Sequence, residues 1–236
     1  MNGYHHTLVT YTTSTPIPPT VMSNVTSNHS VKLIHSTDGG EKLIAYMARV
    51  SNPDNQDNPS YEKLIRYLIK HKHWSPFEMV NMCVEINTTR SVAAQILRHR
   101  SFSFQEFSQR YSKTDAPTVQ ALRRQDLKNR QNSTDDLDPF IKQEFEIKLE
   151  QLYEHSYSLY LEMLSAGVAK ECARDTLPLC TPTKLYMNGT LRSWIHYCDL
   201  RCGNGTQEEH RAIADAIRGL IEHEYPLVYK AAFNEE

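Results

Sequence analysis

The sequence lacks the features that define membrane, disulfide-stabilised and nucleic-acid-binding proteins. No apolar run approaches the roughly 20 residues that span a bilayer. The five cysteines include no pair in C-x-x-C spacing, which argues against a disulfide framework or a structural zinc site and fits a reducing compartment. The net charge is −2, so the chain as a whole lacks the basic footprint of a nucleic-acid-binding protein. We therefore expect a cytoplasmic protein with neither a membrane nor a nucleic acid as partner.

Charge is also missing from the first 31 residues, which contain no Lys, Arg, Asp or Glu. This stretch is rich in Thr, Ser, Asn and Pro. It has neither the charged start and apolar middle of a signal peptide nor the arginines of a transit peptide. We predict a disordered tail over residues 1–30 and a single domain over residues 31–236, which is long enough to bury one substantial core.

The apolar periodicity of the remaining sequence predicts an α+β fold, mostly helical with a small antiparallel sheet. Val80, Met82, Val84 and Ile86 alternate with polar residues, as in a half-buried strand. A second, brief strand is expected at KLYM, residues 184–187. The apolar pattern predicts helices over 39–50, 59–71, 89–98, 138–166, 190–201 and 206–225. Between them lies a polar segment of mixed charge, 112–137, expected as a long loop or a short helix.

The most unusual stretch is RHRSFSFQEFSQRYS, which begins at Arg98. Arg98 and Arg100 carry fixed positive charge and forked donors suited to phosphate or carboxylate. His99 lies between them, which discourages its protonation. With Glu106 and Ser108 close by, the stretch suits a phosphorylated, planar ligand such as a nucleotide or a flavin. The alternative is a solvated basic loop, because charge clusters usually decorate surfaces.

The spacing of this stretch resembles a known family signature. Arg98-His99-Arg100, seven residues and then Ser108 is similar to the RHR-(seven residues)-Ser signature of the flavin-dependent thymidylate synthases, the ThyX family. Other segments resemble that family in the same order: ARVS at 48–51, HKHWSPFE at 71–78, SQRYSK at 108–113, ECARDTLPL at 171–179 and LRSWIHYCDLR at 191–201. The resemblance covers roughly residues 31–225.

The resemblance implies a reaction, cofactors and an assembly. Members methylate dUMP to dTMP with FAD, a reduced nicotinamide expected here to be NADPH, and 5,10-methylenetetrahydrofolate. Members of the family are homotetramers in which several subunits build each active site. The resemblance also implies hydride delivery from the reduced flavin. We therefore expect the same activity, for thymidine nucleotide biosynthesis, and a partner that is a further copy of this chain.

Matching positions supply the candidate site residues. The residues expected to bind the flavin are His73, Ser75, Arg98, His99, Arg100, Glu106, Thr190, Arg192 and His196. The residues expected to bind dUMP are Gln95, Arg98, Glu106, Ser108, Gln109, Arg110, Arg174 and Arg201. Arg201 is the expected catalytic residue. A fixed cation aimed at the uracil carbonyl and N3 region stabilises the negative charge that develops when C6 accepts a nucleophile, worth roughly 2–4 kcal/mol.

The chain departs from the family in a few places. Met79 stands where many members have histidine, and some members have asparagine at the positions of Thr190 and His196. The classical thymidylate synthase uses a cysteine nucleophile within Pro-Cys-His, and no cysteine here has those neighbours. The sequence therefore predicts that no cysteine is essential.

Several of these positions have structural alternatives. Ser75 and Glu78 have the spacing of a capping box, as does TQEE at 206–209, so Ser75 is a candidate cap as well as a flavin contact. His71 and His73 are two residues apart and have no convincing third ligand, so no metal site is expected.

Two arginines and two aromatic residues also have ordinary explanations. Arg174 could form a salt bridge on a helix. Arg201 lies at a helix end, where a cation complements the dipole. Trp194 and Tyr197 are expected in the core rather than against the flavin.

Two other functions remain open. One is a catalytically silent nucleotide-binding module on the same fold, disfavoured because the expected site residues occur together. The other is RNA binding through the basic and aromatic stretch, disfavoured by the net charge of −2 and the lack of a repeated stacking platform. Bound flavin would separate the enzyme from the RNA binder, and turnover would separate it from the silent module.

Overall fold

A five-stranded antiparallel sheet organises the fold. The computed structural model describes residues 22–26 and 28–233. The strands of the sheet, in the order β1-β2-β3-β7-β4, are β1 (Met22–Thr26), β2 (His29–Ser36), β3 (Asn81–Thr89), β7 (Pro182–Thr190) and β4 (Ser103–Glu106). A separate two-stranded ribbon pairs β5 (Arg124–Gln125) with β6 (Ser133–Thr134). The antiparallel sheet was predicted, but it has more strands than the two that the sequence indicated.

The helices pack around this sheet and confirm the α+β class. They are α1 (Gly40–Ala48), α2 (Glu62–Lys70), α3 (Arg90–Ile96), α4 (Pro139–Ser165), α5 (Lys170–Ala173), α6 (Leu191–Arg201), α7 (Glu208–Glu224) and α8 (Pro226–Phe233). Short 3₁₀ turns lie at Pro53–Asn55, Ser75–Met79 and Arg174–Thr176. Within residues 22–26 and 28–233, no helix combines the length and apolarity that crossing a membrane requires.

The N-terminal hairpin lies where the sequence predicted a tail. β1 pairs with β2, so residues 22–26 and 29–30 are in strands. Backbone pairing explains the difference, since a strand needs only matched N–H and C=O groups and no particular side-chain charge. The part of the predicted tail before Met22 lies outside the described residues.

The core lies on one face of the two central strands. Met82, Val84 and Ile86 of β3 are fully buried, as the alternating pattern predicted. The opposite face is less open than expected, because Glu85 is also buried and accepts a hydrogen bond from Tyr186 Oη at 2.8 Å. Side chains of the adjacent strand β7 thus pack beside Glu85, a position that the sequence placed in solvent.

The register of the sheet positions the arginine-rich stretch. Thr89 ends β3 opposite Pro182, whereas Ser103 begins β4 opposite Asn188 at the other end of β7. Helix α3 therefore carries the chain from one end of the sheet to the other. As a result, residues 97–102 turn beside the beginning of α6.

The longest helix, α4, has a side-chain cap at its N-terminus, but few of its own side chains are buried. The Asp138 carboxylate accepts from the backbone N–H groups of Phe140 and Ile141 at 2.9 and 3.2 Å. Gly167, just beyond the helix, has a positive φ of 85° and ends it as predicted. Tyr160 is the one buried residue of α4 within the described structure.

Two predicted capping boxes are wrong. Helix α7 has Gln207 rather than Thr206 at its N-cap, and no side chain caps it. Ser75 likewise makes no capping hydrogen bond in its 3₁₀ turn. In both places the acidic residue is drawn away by a distant arginine, Glu209 by Arg123 and Glu78 by Arg192.

The polar segment 112–137 is mostly irregular, as predicted, apart from the β5–β6 ribbon. Arg124 holds the ribbon through Asp136, with Nη2 to Oδ2 at 2.6 Å. Arg123 is largely buried and reaches α7. The segment is therefore fastened to the start of α7 rather than detached from the domain.

Candidate active site

The Arg98-His99-Arg100 stretch forms a tight turn with some side chains in solvent and others in the interior. Backbone N–H groups of His99 and Phe102 donate to Ile96 O at 3.1 Å and His99 O at 3.3 Å. Arg98 and Arg100 are exposed, whereas Phe102 is buried. The turn therefore presents two guanidinium groups outward from an apolar anchor.

Phe102 anchors the turn against α6 and β7. Its ring centroid lies 4.6 Å from that of Trp194 in an edge-to-face arrangement. A Cβ at Gly189 would lie 2.4 Å from Cδ1 of Phe102, so only glycine lets the ring approach β7 this closely. Trp194, which donates from Nε1 to Met82 O at 2.9 Å, and Tyr197 are core residues, as predicted.

His99 points inward and meets Arg201, the last residue of α6. Arg201 Nε donates to His99 Nε2 at 2.9 Å, so Nε2 carries no proton and the ring is neutral with its proton on Nδ1. Burial, and then the positive charge of Arg201, lower the pKa of His99 to about 4. The imidazole thus holds the guanidinium in place without adding charge.

The expected flavin contacts from the 3₁₀ turn and α6 lie together. Trp74, beside His73 and Ser75, packs edge-on against His196 with ring centroids 4.8 Å apart. Arg192 forms an ion pair with Glu78. The structure therefore joins two segments that are more than 100 positions apart in the chain.

Helix α6 is also tied to the arginine-rich turn. The Thr190 hydroxyl caps α6 by accepting from Ser193 N at 3.3 Å. Ser193 Oγ in turn donates to Ser101 O at 3.3 Å. Thr190 therefore has a structural role beside any contact with a ligand, and the beginning of α6 lies next to Arg98-His99-Arg100.

One carboxylate oxygen of Glu106 already accepts hydrogen bonds from other side chains. Its Oε1 accepts from Arg90 Nη1 at 2.6 Å and from Thr183 Oγ1 at 2.9 Å. The other oxygen, Oε2, remains for a ligand donor. Arg90 was missed from the sequence, because its pairing with Glu106 depends on how α3 returns alongside β7.

Ser108 and Glu106 border an open groove with a volume of about 400 Å³. Its lining residues are Gln105, Glu106, Phe107, Ser108, Tyr111, Ser112, Lys184 and Tyr186. Lys184 and Tyr186, from the exposed face of β7, were not among the candidates; the alternation along the strand was the signal that could have indicated them. The lining includes no residue from 73–75 or 98–100, so these candidates do not converge on one groove within this chain.

The remaining nucleotide candidates differ in exposure and pairing. Arg110 is exposed and donates from Nε to Glu171 Oε2 at 3.2 Å. Arg174 follows in the same region and forms no salt bridge with a described residue, so the structural alternative for it has no support here. Gln109 is only 7% exposed, which leaves little of its side chain for a ligand.

Of the six candidate arginines, four form no ion pair with a residue that the structure describes, because only Arg110 and Arg192 have carboxylate partners. The four are Arg98, Arg100, Arg174 and Arg201. Over the described residues as a whole, no three His, Cys, Asp or Glu side chains are grouped to hold a metal ion. The site chemistry available is therefore that of fixed cations, hydroxyls, one free carboxylate oxygen and neutral imidazoles, which suits a phosphorylated, hydrogen-bonding ligand.

Comparisons with known proteins agree with this chemistry. Residues 32–227 match the family model described as thymidylate synthase complementing protein. The chain is 56% identical over 191 residues to a flavin-dependent thymidylate synthase of Synechocystis sp., covering 81% of this chain and 88% of that protein. It is 49% identical over 201 residues to a probable flavin-dependent thymidylate synthase of Paramecium bursaria Chlorella virus 1, covering 84% and 93%.

A solved structure has the same architecture. The UMP/dUMP methylase PolB from Streptomyces cacaoi, crystallised with 5-Br dUMP, superposes with a TM-score of 0.77 at 25% sequence identity. The match covers 87% of this chain and 94% of that one.

Proposed function

Because the chain belongs to the flavin-dependent thymidylate synthase family, as its sequence motifs indicated, we propose that it catalyses the reductive methylation of dUMP to dTMP. FAD is the bound cofactor, and 5,10-methylenetetrahydrofolate and NADPH are the co-substrates. The observation that carries the proposal is the contact between Arg201 and neutral His99. Beside it, a turn presents two exposed guanidinium groups that have no ionic partner in the described part of the chain.

The donor set fits FAD. Arg98 and Arg100 are exposed and have no ionic partner among the described residues, as a dinucleotide pyrophosphate requires. The adjoining start of α6 and the His73–Ser75 segment add imidazole, hydroxyl and guanidinium groups. FAD, when bound, supplies the reducing equivalents that turn the transferred one-carbon unit into a methyl group.

Arg201 has the electrostatic role. Negative charge develops on the uracil carbonyl and N3 region when C6 accepts a nucleophile, and a fixed guanidinium opposite that region stabilises it. His99 restrains the guanidinium through Nε2 at 2.9 Å. Because the ring is neutral, it does not repel the cation that it orients.

The other cations and hydroxyls bind the nucleotide. Arg110, Arg174 and Ser108 have the chemistry to hold a phosphate, by charge and by hydrogen bonds. Glu106 offers Oε2 to a donor, because Arg90 and Thr183 occupy Oε1. Gln95 and Gln109 complete the set, Gln109 through the small part of it that is exposed.

No cysteine takes part in the reaction. All five cysteines lie in the described part of the chain and are free thiols. Burial raises the pKa of Cys83 and of Cys180, which disfavours the thiolate that a nucleophile requires.

A variant with all five cysteines replaced by Ser or Ala should therefore keep measurable dTMP formation. Alanine is the suitable choice at Cys198, which is buried. Folding is checked by circular dichroism before activity is measured. Complete loss of turnover in folded, FAD-loaded protein would show that a cysteine is essential.

The active enzyme is a homotetramer whose sites are completed by neighbouring chains. Support comes from α4, where Ile141, Phe145, Leu152 and Leu159 are 40–58% exposed and recur at spacings of four, seven and seven residues. Such spacing places them on one side of the helix, away from buried Tyr160. An apolar stripe of this kind marks an association surface. The separation of the 73–75 and 98–100 residues from the Glu106 groove also favours shared sites.

Light scattering coupled to gel filtration should give a mass of about 109 kDa, four times that of the 27.3-kDa chain. Changing Phe145 and Leu152 to glutamate should lower the mass, because charge on an apolar interface is left unpaired. Leu127→Glu, on an exposed loop, is the control and should not change it. A single-chain mass for the wild type would refute the assembly.

The reaction takes place in the cytoplasm, where thiols stay reduced. Purified protein is incubated without oxygen with dUMP, 5,10-methylenetetrahydrofolate, FAD and NADPH, and each component is omitted in turn. The expected result is dTMP that requires all four. Protein that binds FAD and dUMP without product would be the silent module. Protein that binds RNA but not FAD would support the RNA-binding function.

A further inference from the structure

Behind His99 lies a buried pair of side chains that the mechanism does not use. Tyr197 of α6 and His210 of α7 are 1% and 0% exposed. Their Oη and Nε2 atoms are 3.1 Å apart. On its other side, His210 Nδ1 is 3.4 Å from Oε1 of Gln95, one of the proposed nucleotide contacts.

The surrounding hydrogen bonds settle which ring nitrogen carries the proton. Gln95 donates from Nε2 to Gln207 Oε1 at 2.6 Å, which leaves Gln95 Oε1 as an acceptor toward His210. Nδ1 of His210 therefore bears hydrogen, and Nε2 accepts from the Tyr197 hydroxyl. Burial, followed by the charge of Arg201, lowers the pKa of His210 to about 3, so the ring is neutral at physiological pH.

The line of hydrogen bonds continues to a fixed anion. Gln207 donates from Nε2 to Glu209 Oε2 at 2.8 Å. Glu209 Oε1 accepts from Arg123 Nη2 at 2.6 Å, and both of these side chains are largely buried. Burial acts to raise the pKa of Glu209, but hydrogen bonds from Arg123 and Gln207 outweigh it and keep the carboxylate charged.

The hydrogen bonds thus run in one direction, each residue donating to the next: Tyr197 to His210, then Gln95, Gln207 and finally Glu209. We call these five residues the Tyr197–Glu209 relay. A side-chain amide by itself can bind with its oxygen and nitrogen interchanged. The relay removes that freedom at Gln95, because His210 supplies a donor on one side and Gln207 an acceptor on the other.

The relay also lies against the group that holds Arg201. The ring of Tyr197 is 4.9 Å from that of His99, centroid to centroid, in an edge-to-face arrangement. The ring of His210 is 6.2 Å from that of His99. One packed unit therefore fixes both a nucleotide contact and the support of the catalytic arginine.

We propose that His210 is a positioning residue for dUMP: through the Tyr197–Glu209 relay it fixes the amide of Gln95 so that its second N–H points to an acceptor on the nucleotide. The proposal rests on the proposed function, in which Gln95 contacts dUMP. It differs from a purely structural role for a buried histidine, which would stabilise the fold without affecting dUMP affinity in folded protein.

The test compares two variants in the same background. Tyr197→Phe removes the hydroxyl, so that His210 can be changed without leaving a buried donor unpaired. In that background, His210→Asn places an amide N–H near the position of Nδ1 and keeps a donor for Gln95. The leucine of His210→Leu has almost the same shape as asparagine but offers no hydrogen-bond donor to Gln95. Dissociation constants for dUMP are measured by calorimetry on FAD-loaded protein.

The asparagine variant should bind dUMP within about threefold of the wild type, and the leucine variant about tenfold more weakly, the value of one hydrogen bond. FAD content per chain should be equal in both. Gln207→Leu, at an exposed position, cuts the next link without threatening the fold and should also weaken dUMP binding severalfold. Ile217→Val, buried in α7 away from the relay, is the control that lowers stability and leaves dUMP affinity unchanged.

Equal dUMP affinity in the asparagine and leucine variants would overturn the proposal, as would an unchanged affinity after Gln207→Leu. The dTMP assay reports separately on the proposed function. Wild-type protein that binds dUMP without forming dTMP, with weakened binding in the leucine variant, would refute the function and keep the relay. If the wild type forms dTMP and the asparagine and leucine variants bind dUMP equally well, the function is kept and the relay is refuted. A wild type that binds no dUMP would refute both.

Discussion

Arg201→Ala should abolish dTMP formation while the FAD content per chain stays at the wild-type level. Removing one donor aimed at a developing negative charge typically lowers kcat by roughly 100- to 1,000-fold. Arg201 has a second role in this structure, since its Nε donates to His99 at 2.9 Å and the imidazole loses that partner in the variant. The loss should therefore lie at the upper end of that range or beyond it.

The measurement is single-turnover dTMP formation, with FAD quantified by absorbance after denaturation. Arg218→Ala is a matched control, because Arg218 is 40% exposed and pairs with Asp215 on the surface of α7. That variant should retain its activity. Full activity in Arg201→Ala would refute the catalytic role of Arg201, and loss of FAD together with activity would show a role in cofactor binding instead.

Trp194→Ala should have the largest effect on stability, lowering the free energy of unfolding by about 3–5 kcal/mol. Trp194 is completely buried, packs against Phe102 and donates to Met82 O. The substitution leaves a cavity below Phe102 and removes the hydrogen bond from Nε1 to Met82 O. Because domains are stable by only about 5–15 kcal/mol, this is a substantial fraction of the total.

Urea unfolding of the FAD-loaded protein measures this loss, and the second tryptophan serves as the comparison. Trp74 is only partly buried and packs against His196 and Phe77. Trp74→Ala should therefore destabilise the protein less and weaken FAD retention more. A smaller loss of stability for Trp194→Ala than for Trp74→Ala would contradict the assignment of Trp194 to the core beneath the arginine-rich turn.

Short patterns in the sequence predicted much of the fold. Met82, Val84 and Ile86 follow the period of a strand and lie in the core. Asp138 followed by Pro139 begins α4 and a glycine with positive φ ends it, because capping and backbone freedom act over a few residues. Such features depend on neighbours along the chain, so the sequence alone carries them.

Predictions failed where distant partners compete with local ones. TQEE at 206–209 has the spacing of a capping box, yet Glu209 pairs with Arg123, 86 positions away. The charged and buried guanidinium is a stronger partner for a carboxylate than a backbone N–H. The burial of Glu85 beside Tyr186 of β7 and the exposure of an apolar stripe on α4 have the same cause. Both depend on which side chains and surfaces pack together in three dimensions.

The sequence by itself determined the family, the strand and helix periods, and the residue types of the site, from Arg98-His99-Arg100 to Arg201. These are properties of residue order and spacing. Only the tertiary structure decided that His99 is neutral and holds Arg201, that one oxygen of Glu106 is taken by Arg90, and that His210 points its proton at Gln95. A hydrogen bond has a donor and an acceptor that must meet within about 3 Å. That meeting is set by packing between segments that are 16 residues apart for Arg90 and Glu106, 102 for His99 and Arg201, and 115 for Gln95 and His210.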